Sequence, residues 1–227
     1  MIPLHDDIPS RRYPVVTRLL VAASVLAFVY ELSLGTRELR VLVHVLGVVP
    51  ARYFHPEQLR AFGWVLAVPL VTSIFLHGGW LHLLSNMLYL WIFGDNVEDR
   101  LGHGRFLLFY LLVGMIGNAA HIVANPASQV PAIGASGAIA GVLGAYLLSF
   151  PRARVATLVP LGVFLTVVQV PAVLFLFGWF LLQLANGVAS LGVPGTQQVA
   201  WWAHIGGFLS GALLVGVFAG QRRALYW

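Results

Sequence analysis

Long apolar runs follow one another along most of this chain, separated by short breaks that hold arginine, proline or glycine. A soluble domain has about 25% charged residues, whereas 9% of these residues are charged and 59% are hydrophobic. The apolar runs leave no room for a separate soluble domain. We therefore predict an all-α polytopic membrane protein whose helices face lipid.

The charged residues favour the same class of protein. All thirteen basic residues are arginines, and with eight acidic residues they give a formal net charge of +5. The arginines occur singly or in pairs between the apolar runs, which is typical of the loops of a membrane protein and not of a nucleic-acid-binding surface. Because the chain has no cysteine, disulfides and thiolate metal sites are excluded.

Six of the apolar runs have the length and flanking residues expected of membrane-spanning helices. They cover residues 15–34, 80–93, 106–124, 136–150, 172–190 and 199–219. Prolines and a glycine interrupt residues 35–79, so we predict a long, partly helical first outer loop there, with interfacial or re-entrant pieces over 41–49 and 61–76. A turn is predicted over 192–195. The expected domains are a cytoplasmic tail (1–14), a six-helix membrane domain (15–220) and a second cytoplasmic tail (221–227).

Six spans put both termini on the same side of the membrane. With the termini inside, nine arginines lie in the cytoplasm and four outside, which satisfies the positive-inside rule. The inner set is Arg11, Arg12, Arg18, Arg100, Arg105, Arg152, Arg154, Arg222 and Arg223, and the outer set is Arg37, Arg40, Arg52 and Arg60. Because the loops are short and no extra domain is visible, we expect a multi-pass protein of a bacterial or archaeal plasma membrane, with an organelle membrane as the alternative.

The fourth predicted helix combines a smooth face with a hydroxyl group at its outer end. Glycine or alanine fills most positions from Gly134 to Gly144, and such small residues let membrane helices pack closely. The fifteen residues of this helix span roughly 22 Å at about 1.5 Å each, against a hydrocarbon core of about 30 Å. We therefore expect Ser136 to lie in a recessed, hydrated pocket at the positive end of a helix dipole.

Polar residues from three predicted helices share this depth. The second, fourth and sixth helices all begin on the outer side in this topology. His82 and Asn86 lie four residues apart near the start of the second helix, hence on one face. His204 lies near the start of the sixth helix, ahead of a GxxxG pair that would allow a close approach to the glycine face of the fourth. We therefore expect His82, Asn86, Ser136 and His204 to meet.

These residue types suit nucleophilic catalysis. A serine needs a base to become a nucleophile, and a histidine is the usual one, so we predict that His204 activates Ser136. The backbone N–H of Ser136, with the side chains of His82 and Asn86, would stabilise the anion formed on a substrate carbonyl. The acidic residues lie in termini, loops or helix ends, and none is placed to orient His204. The prediction is a serine–histidine dyad and not a triad.

Three segments together resemble the rhomboid intramembrane serine proteases. They are His77–Asn86 (HGGWLHLLSN), Gly134–Gly137 (GASG) and Ala203–Gly211 (AHIGGFLSG), and the resemblance extends from about residue 15 to 220. It implies that Ser136 is the nucleophile and His204 the base. It also implies that His82 and Asn86 form the oxyanion-stabilising pair, with Gly134 at the same substrate-binding site.

The resemblance also implies a reaction and an architecture. The architecture is a six-transmembrane-helix rhomboid-like bundle. The reaction is hydrolysis of a peptide bond in or near a transmembrane segment of a single-span or polytopic membrane protein, without metal or cofactor. The active site would open to the outer side of the bilayer, and a substrate helix would enter between the second and fifth helices, where Pro171 and Gly178 could soften the fifth.

Two positions depart from the pattern of the family. Many rhomboids carry Trp-Arg in the first outer loop where this chain has Val68 and Pro69, so the anchoring of that loop is left open. Some have an aromatic residue one helical turn after the serine, where this chain has Ala140. We expect another side chain to hold the His204 ring, with Trp201 and Trp202 as candidates. His77 is a further candidate for lining the site.

Other interpretations remain for these residues. Taken alone, Ser136 fits a packing role and His204 a buried hydrogen bond. Asn118, His121, Gln183 and Asn186 are interpreted as interhelical hydrogen-bonding residues, and no metal site is expected at His44, His55 or His103. The alternative function is that of a rhomboid-like escort protein that binds membrane segments without cutting them. A transporter is disfavoured because the predicted spans lack both internal carboxylates and repeated halves.

Overall fold

A computed structural model describes residues 2–161, 164–191 and 199–219. The predicted turn over 192–195 and the C-terminal tail, with Arg222 and Arg223, lie outside this range. The longer helices are α1 (Val15–Ser33), α2 (Thr36–Leu46), α5 (Trp80–Leu101), α6 (His103–Ala124), α7 (Ser136–Ser149), α8 (Ala172–Ser190) and α9 (Trp201–Ala219). The shorter ones are α3 (Pro56–Phe62) and α4 (Val68–Thr72), and the strands are β1 (Ile2–Asp6), β2 (Arg154–Leu161) and β3 (Phe164–Pro171).

Four of these helices, α1, α6, α8 and α9, are long and apolar enough to cross a bilayer. Residues 63–75 and α5 would together count as a fifth span, although the two segments are bent by 85° relative to each other. Helix α7 is apolar but has only 14 residues. The part of the chain that the structure describes therefore has the build of an integral membrane protein with four or five spans by length and composition, fewer than the six predicted.

The predicted helix boundaries are confirmed at both ends of α1, α6, α7, α8 and α9 to within three residues. The second predicted helix is the exception, because α5 continues past residue 93 to Leu101. The last turns of α5 are polar, and Glu98 in them makes hydrogen bonds within the protein. Glu98 is 1% exposed, and its carboxylate accepts the backbone N–H groups of Val16 (2.8 Å) and Thr17 (2.7 Å) at the start of α1.

A three-stranded antiparallel sheet corrects the prediction of a wholly helical chain. Its order is β1-β2-β3, and its pairs include Ile2 with Leu158 and Val155 with Val170. The strands are rich in β-branched residues, which fit a pleated surface better than a helix. The segment before α1, predicted to be a cytoplasmic tail, packs on the helices: Asn96 of α5 donates to the backbone oxygen of Ile8 at 2.8 Å.

Helix α7 lies at the centre of the bundle, and most of its residues are buried. Its glycine face packs on the GxxxG pair of α9, as predicted. A Cβ atom placed on Gly207 would lie 2.0 Å from the backbone oxygen of Gly137, and one on Gly211 would lie 1.9 Å from that of Gly141. Only glycine permits backbones to approach this closely, so the two helices are fixed in one register.

The long segment predicted to be the first outer loop, between α1 and α5, is partly helical, as expected. Helices α2, α3 and α4 alternate with 3-10 turns over 50–53, 63–67 and 73–75. The loop pairs with residues 125–135, the segment before α7, through the bridge between Val48 and Ala132. The backbone oxygen of Ser73 also accepts the N–H of Gly134 at 2.8 Å. These contacts hold the segment that leads into Ser136.

Candidate active site

The hydroxyl of Ser136 and the imidazole of His204 are hydrogen-bonded across the α7–α9 interface. Ser136 is the first residue of α7, and His204 lies in the first turn of α9. The distance between the Oγ of Ser136 and the Nε2 of His204 is 2.7 Å. The close glycine packing between α7 and α9 brings their N-terminal ends together, and the fold thereby places Ser136 beside His204.

The second ring nitrogen of His204 also has a partner. The Nδ1 atom lies 2.8 Å from the Oε1 of Gln183 in α8, and both side chains are 8% exposed. Two indole rings flank the imidazole. The centroids of Trp179 and Trp201 each lie 6.0 Å from that of His204, with interplanar angles of 34° and 87°. The ring is thus held on several sides.

His82 and Asn86 lie on the other side of Ser136, where they present hydrogen-bond donors. The Nδ1 of His82 accepts the backbone N–H of Gly78 at 3.4 Å, so the ring proton of His82 resides on Nε2. The Nδ2 of Asn86 is buried and has no hydrogen-bond partner among the residues that the structure describes. The backbone N–H of Ser136 is among the free amides of the first turn of α7.

Gly134 provides the close approach that this arrangement needs. Its φ of +126° lies in a region that residues with a side chain rarely adopt. A Cβ atom at this position would lie 2.6 Å from the Nε2 of His82 and 3.7 Å from the Nδ2 of Asn86. Glycine at position 134 therefore lets both donors face the chain just before Ser136.

A cavity of about 830 Å³ opens onto these groups. Its polar wall is formed by His82, Asn86, Ser136, Gln183 and His204. The remaining walls are mainly apolar and include Tyr89, Ile139, Leu143 and Trp179. A few convergent polar groups in an otherwise apolar cleft are typical of a ligand-binding or catalytic site.

Three residues proposed as site-lining lie outside the cavity walls. His77 packs behind His82, with their ring centroids 5.2 Å apart, and its backbone N–H donates to the carboxylate of Glu31. Trp201 contacts the ring of His204 edge-on. The indole N–H of Trp202 is buried and has no hydrogen-bond partner within the described ranges 2–161, 164–191 and 199–219.

Comparison with known proteins assigns the family. The family model described as "Rhomboid domain" matches residues 66–221, which is more than half of the chain. The chain belongs to the rhomboid family. That span holds the whole constellation described above, from His82 to His204.

Individual rhomboid relatives match most or part of the chain. "Putative rhomboid protease YdcA" of Bacillus subtilis (strain 168) is 36% identical over 60% of this chain, and "Rhomboid protease GluP" of the same organism is 33% identical over 88%. "Presenilin-associated rhomboid-like protein, mitochondrial" of Homo sapiens is 36% identical over 51%. The matched regions span 63%, 35% and 32% of these three relatives.

Two positions differ from the family pattern, and in the structure other contacts take the place of the missing side chains. The first outer loop, with Val68 and Pro69 in α4, is anchored by Asn118 of α6, which donates to the backbone oxygen of Leu70 at 2.9 Å and to the Oγ of Ser73 at 3.0 Å. Ala140 is fully buried, and its Cβ lies where it meets Gly207 of α9. The aromatic contact with the His204 ring comes instead from α8 and α9.

Two further residues belong to this site, Gln183 and Trp179. The sequence predicts an interhelical hydrogen bond for Gln183, which is confirmed, but neither its partner His204 nor any role for Trp179. The sequence does contain an indication of both. Gln183 is a polar residue within an apolar span, which makes it a functional candidate, and Trp179 lies on the same helical face one turn earlier. Their position next to His204 could not be read from sequence alone.

Proposed function

We propose that this protein is an intramembrane serine endopeptidase that uses Ser136 as nucleophile and His204 as base. The observation that carries the proposal is the 2.7 Å contact between the Oγ of Ser136 and the Nε2 of His204 at the floor of the cavity. A serine hydroxyl paired with an imidazole nitrogen is the arrangement that activates a serine for attack on a carbonyl carbon.

The groups around this pair support a complete reaction cycle. The Oγ of Ser136 attacks the carbonyl carbon of the substrate while its proton passes to the Nε2 of His204. The Nε2–H of His82, the amide of Asn86 and the backbone N–H of Ser136 would donate to the resulting oxyanion. His204 then returns the proton to the leaving amine, and water hydrolyses the acyl-enzyme by the same steps in reverse order.

The buried amide of Asn86 supports its proposed role as a hydrogen-bond donor to the oxyanion. A buried donor without a hydrogen bond costs about 1–3 kcal/mol. The Nδ2 of Asn86 is such a donor, and it faces Gly134 at the entrance to α7. An oxyanion bound there would satisfy the amide, so the interaction would be stronger in the transition state than in the free enzyme.

The proposed substrates are transmembrane segments of single-span or polytopic membrane proteins. Helices α5 and α8 both contribute to the cavity, through Tyr89 on one side and Trp179 and Gln183 on the other. A segment entering laterally between them would reach Ser136 directly from the bilayer. It must unwind locally first, because the peptide bonds of a helix are hydrogen-bonded and shielded. No metal or cofactor is required by this chemistry.

We further propose six spans, formed by α1, α5, α6, α7, α8 and α9, in a prokaryotic plasma membrane. The termini would lie in the cytoplasm and the cavity would open to the outer side, as the distribution of arginines favours. At about 21 Å, α7 is short for a bilayer, but it is enclosed by other helices. The membrane domain would run over 15–220, with residues 1–14 and 221–227 in the cytoplasm.

Single cysteines test this topology, because the chain has none of its own. Ala127→Cys lies in the exposed segment before α7, and Arg152→Cys lies in the exposed segment after it. In intact bacterial cells a membrane-impermeant maleimide should label the first variant only, and after permeabilisation it should label both. The reverse pattern would invert the proposed orientation.

Covalent labelling by a serine-directed fluorophosphonate tests the proposed nucleophile. The protein should take one label, and Ser136→Ala should abolish it. Ser85→Ala is the matched control, because Ser85 lines the same cavity but its hydroxyl donates to the backbone oxygen of His82 at 3.1 Å. That variant should label like the original protein. Failure of the original protein to label would favour the non-proteolytic escort function instead.

A further inference from the structure

Gln183 contacts His204 on the side of the ring that faces away from Ser136. Its Oε1 lies 2.8 Å from the Nδ1 of His204, and both side chains are 8% exposed. Gln183 belongs to α8, whereas His204 belongs to α9 and Ser136 to α7. The serine, the histidine and the glutamine therefore form a continuous line of hydrogen bonds across three helices.

The amide of Gln183 has a defined orientation. Its Nε2 donates to the backbone oxygen of Trp179, one helical turn earlier, at 3.3 Å. A carbonyl oxygen only accepts hydrogen bonds, so the amide nitrogen must be the atom that faces it. The Oε1 of Gln183 is consequently the atom that faces His204.

This orientation determines the tautomer of His204. The Oε1 of an amide cannot donate, so the Nδ1 of His204 must carry the ring proton. The Nε2 then has a free lone pair, and it accepts the hydroxyl proton of Ser136 across 2.7 Å. In the other tautomer Nε2 would carry the proton and His204 could not act as the base.

An uncharged hydrogen-bond partner for the Nδ1 of His204 suits this buried position. A carboxylate in this place would be a buried charge inside a membrane domain, which is costly without a compensating partner. An amide accepts the same hydrogen bond from Nδ1–H without that charge. The interaction also persists during the reaction, because the Nδ1–H of the imidazolium formed after proton transfer still donates to Oε1.

We propose that Gln183 is a positioning residue that holds His204 in the Nδ1–H tautomer and directs its Nε2 at Ser136. The proposal rests on the function proposed above and adds a third member to its dyad. Helix α8 acts through two residues one turn apart: the backbone oxygen of Trp179 fixes the amide of Gln183, while the Trp179 indole lies beside the His204 ring.

Two substitutions separate this role from a purely structural one. Gln183→Leu replaces the amide with an apolar side chain that offers no acceptor, and it should lower kcat by on the order of 10–100-fold with little change in KM. Gln183→Glu keeps the shape but places a carboxylate against Nδ1, which favours the imidazolium. The acid limb of the pH profile of kcat/KM should therefore move to higher pH.

Asn186→Leu is the matched control. Asn186 lies on the same helix, and its Nδ2 makes the same kind of bond to the backbone oxygen of Leu182, at 2.7 Å, but its side chain is exposed whereas that of Gln183 is buried. This variant should retain both kcat and the pH profile. The other titratable groups that interact electrostatically with His204 are His82 of α5 and His121 of α6, and both are present in every variant.

Nitrogen-15 NMR of the imidazole rings reads the tautomer without any cleavage assay. The His204 signal is assigned as the one missing from His204→Ala. It should report a protonated Nδ1 and an unprotonated Nε2 in the original protein, and protonation at Nε2 should grow in Gln183→Leu. This readout stands even if the protein cleaves no substrate, so a failure of the proposed function and a failure of this proposal are distinguishable.

A wild-type signal with the proton on Nε2 would overturn the proposal. So would a Gln183→Leu protein that keeps its tautomer, its kcat and its pH profile while the wild type cleaves. If Gln183→Leu does not fold, Gln183→Met, which keeps the length of the side chain without an oxygen acceptor, decides the matter: a His204 ring that keeps its proton on Nδ1 in that variant would overturn the proposal.

Discussion

The backbone oxygen of Gly141 in α7 occupies the space that a Cβ atom on Gly211 in α9 would need, at a distance of 1.9 Å. The Cα of Gly141 would lie 2.6 Å from the same Cβ atom. Two rigid backbones are the neighbours here, so no flexible side chain can move aside. This contact fixes α9 against α7 below the Ser136–His204 pair, and the geometry of that pair depends on it.

Gly211→Ala is therefore expected to destabilise the protein by about 1–3 kcal/mol, as overpacking does. The measurement is thermal or denaturant unfolding in detergent. Gly216→Ala is the matched control, because Gly216 lies on the same helix and no atom of the described part of the chain lies within 4 Å of its Cβ position. That variant should be as stable as the original or slightly more so, since alanine is the better helix former. Equal destabilisation by both would refute the importance of the contact.

The features that the sequence predicted are those that depend on local composition. The boundaries of α8 follow from Pro171 and the apolar run after it, because a spanning helix must be apolar over its whole length. The pairing of α7 with α9 follows from the glycine spacing in each helix. The meeting of Ser136 with His204 then follows from the topology, and the structure places the two within hydrogen-bonding distance.

The features that were missed depend on contacts between distant parts of the chain. The pairing of Ile2 with Leu158 leaves no local signal, and the apolar β-branched run of β2 and β3 looks like part of a membrane span. The continuation of α5 to Leu101 required knowing that Glu98 caps the start of α1. The role of Gln183 required the relative rotation of α8 and α9, which no spacing rule provides.

The docking of the N-terminal strand should depend on pH through Asp6. Burial raises the pKa of the Asp6 carboxyl to about 7, although the hydroxyl of Tyr146 donates to it. A raised pKa means that the fold favours the protonated form. This stabilisation is complete below the ordinary pKa of 3.8 and is lost as the pH rises through about 7. The strand should be less protected at pH 8 than at pH 5.5.

Hydrogen exchange of the β1 amides, corrected for the intrinsic effect of pH, measures this change. Asp6→Asn keeps an acceptor for Tyr146 without a titrating group, so it should remove the difference between the two pH values. Asp7→Asn should leave the difference in exchange between the two pH values in place, because Asp7, the residue after Asp6, is exposed. A pH dependence that survives in Asp6→Asn would show that another group is responsible.

Lateral entry of substrate between α5 and α8 can be tested by linking the two helices. The rings of Tyr89 and Phe175 stack across them with centroids 6.4 Å apart. In Tyr89→Cys/Phe175→Cys, a short bis-methanethiosulfonate, which links the two thiols through reducible disulfides and releases methanesulfinate, should abolish cleavage of a transmembrane substrate but leave fluorophosphonate labelling intact. Reduction should restore cleavage. Since the chain has no cysteine of its own, no other site reacts.

A control link joins helices away from this opening. The rings of Phe109 in α6 and Phe218 in α9 lie 5.5 Å apart, and the corresponding double cysteine variant should cleave equally well before and after linking. Full cleavage by the protein linked between α5 and α8 would rule out entry at that position and direct attention to another pair of helices.

Cleavage of a single-span membrane substrate by the purified protein, beside Ser136→Ala and His204→Ala, tests the central claim most directly. The rate should fall by at least about 10³-fold in each variant, while both variants keep the thermal unfolding midpoint of the original. Because the two residues act as one unit, the double variant should be no slower than either single one. Cleavage that persists in folded Ser136→Ala would contradict the assignment of Ser136 as the nucleophile.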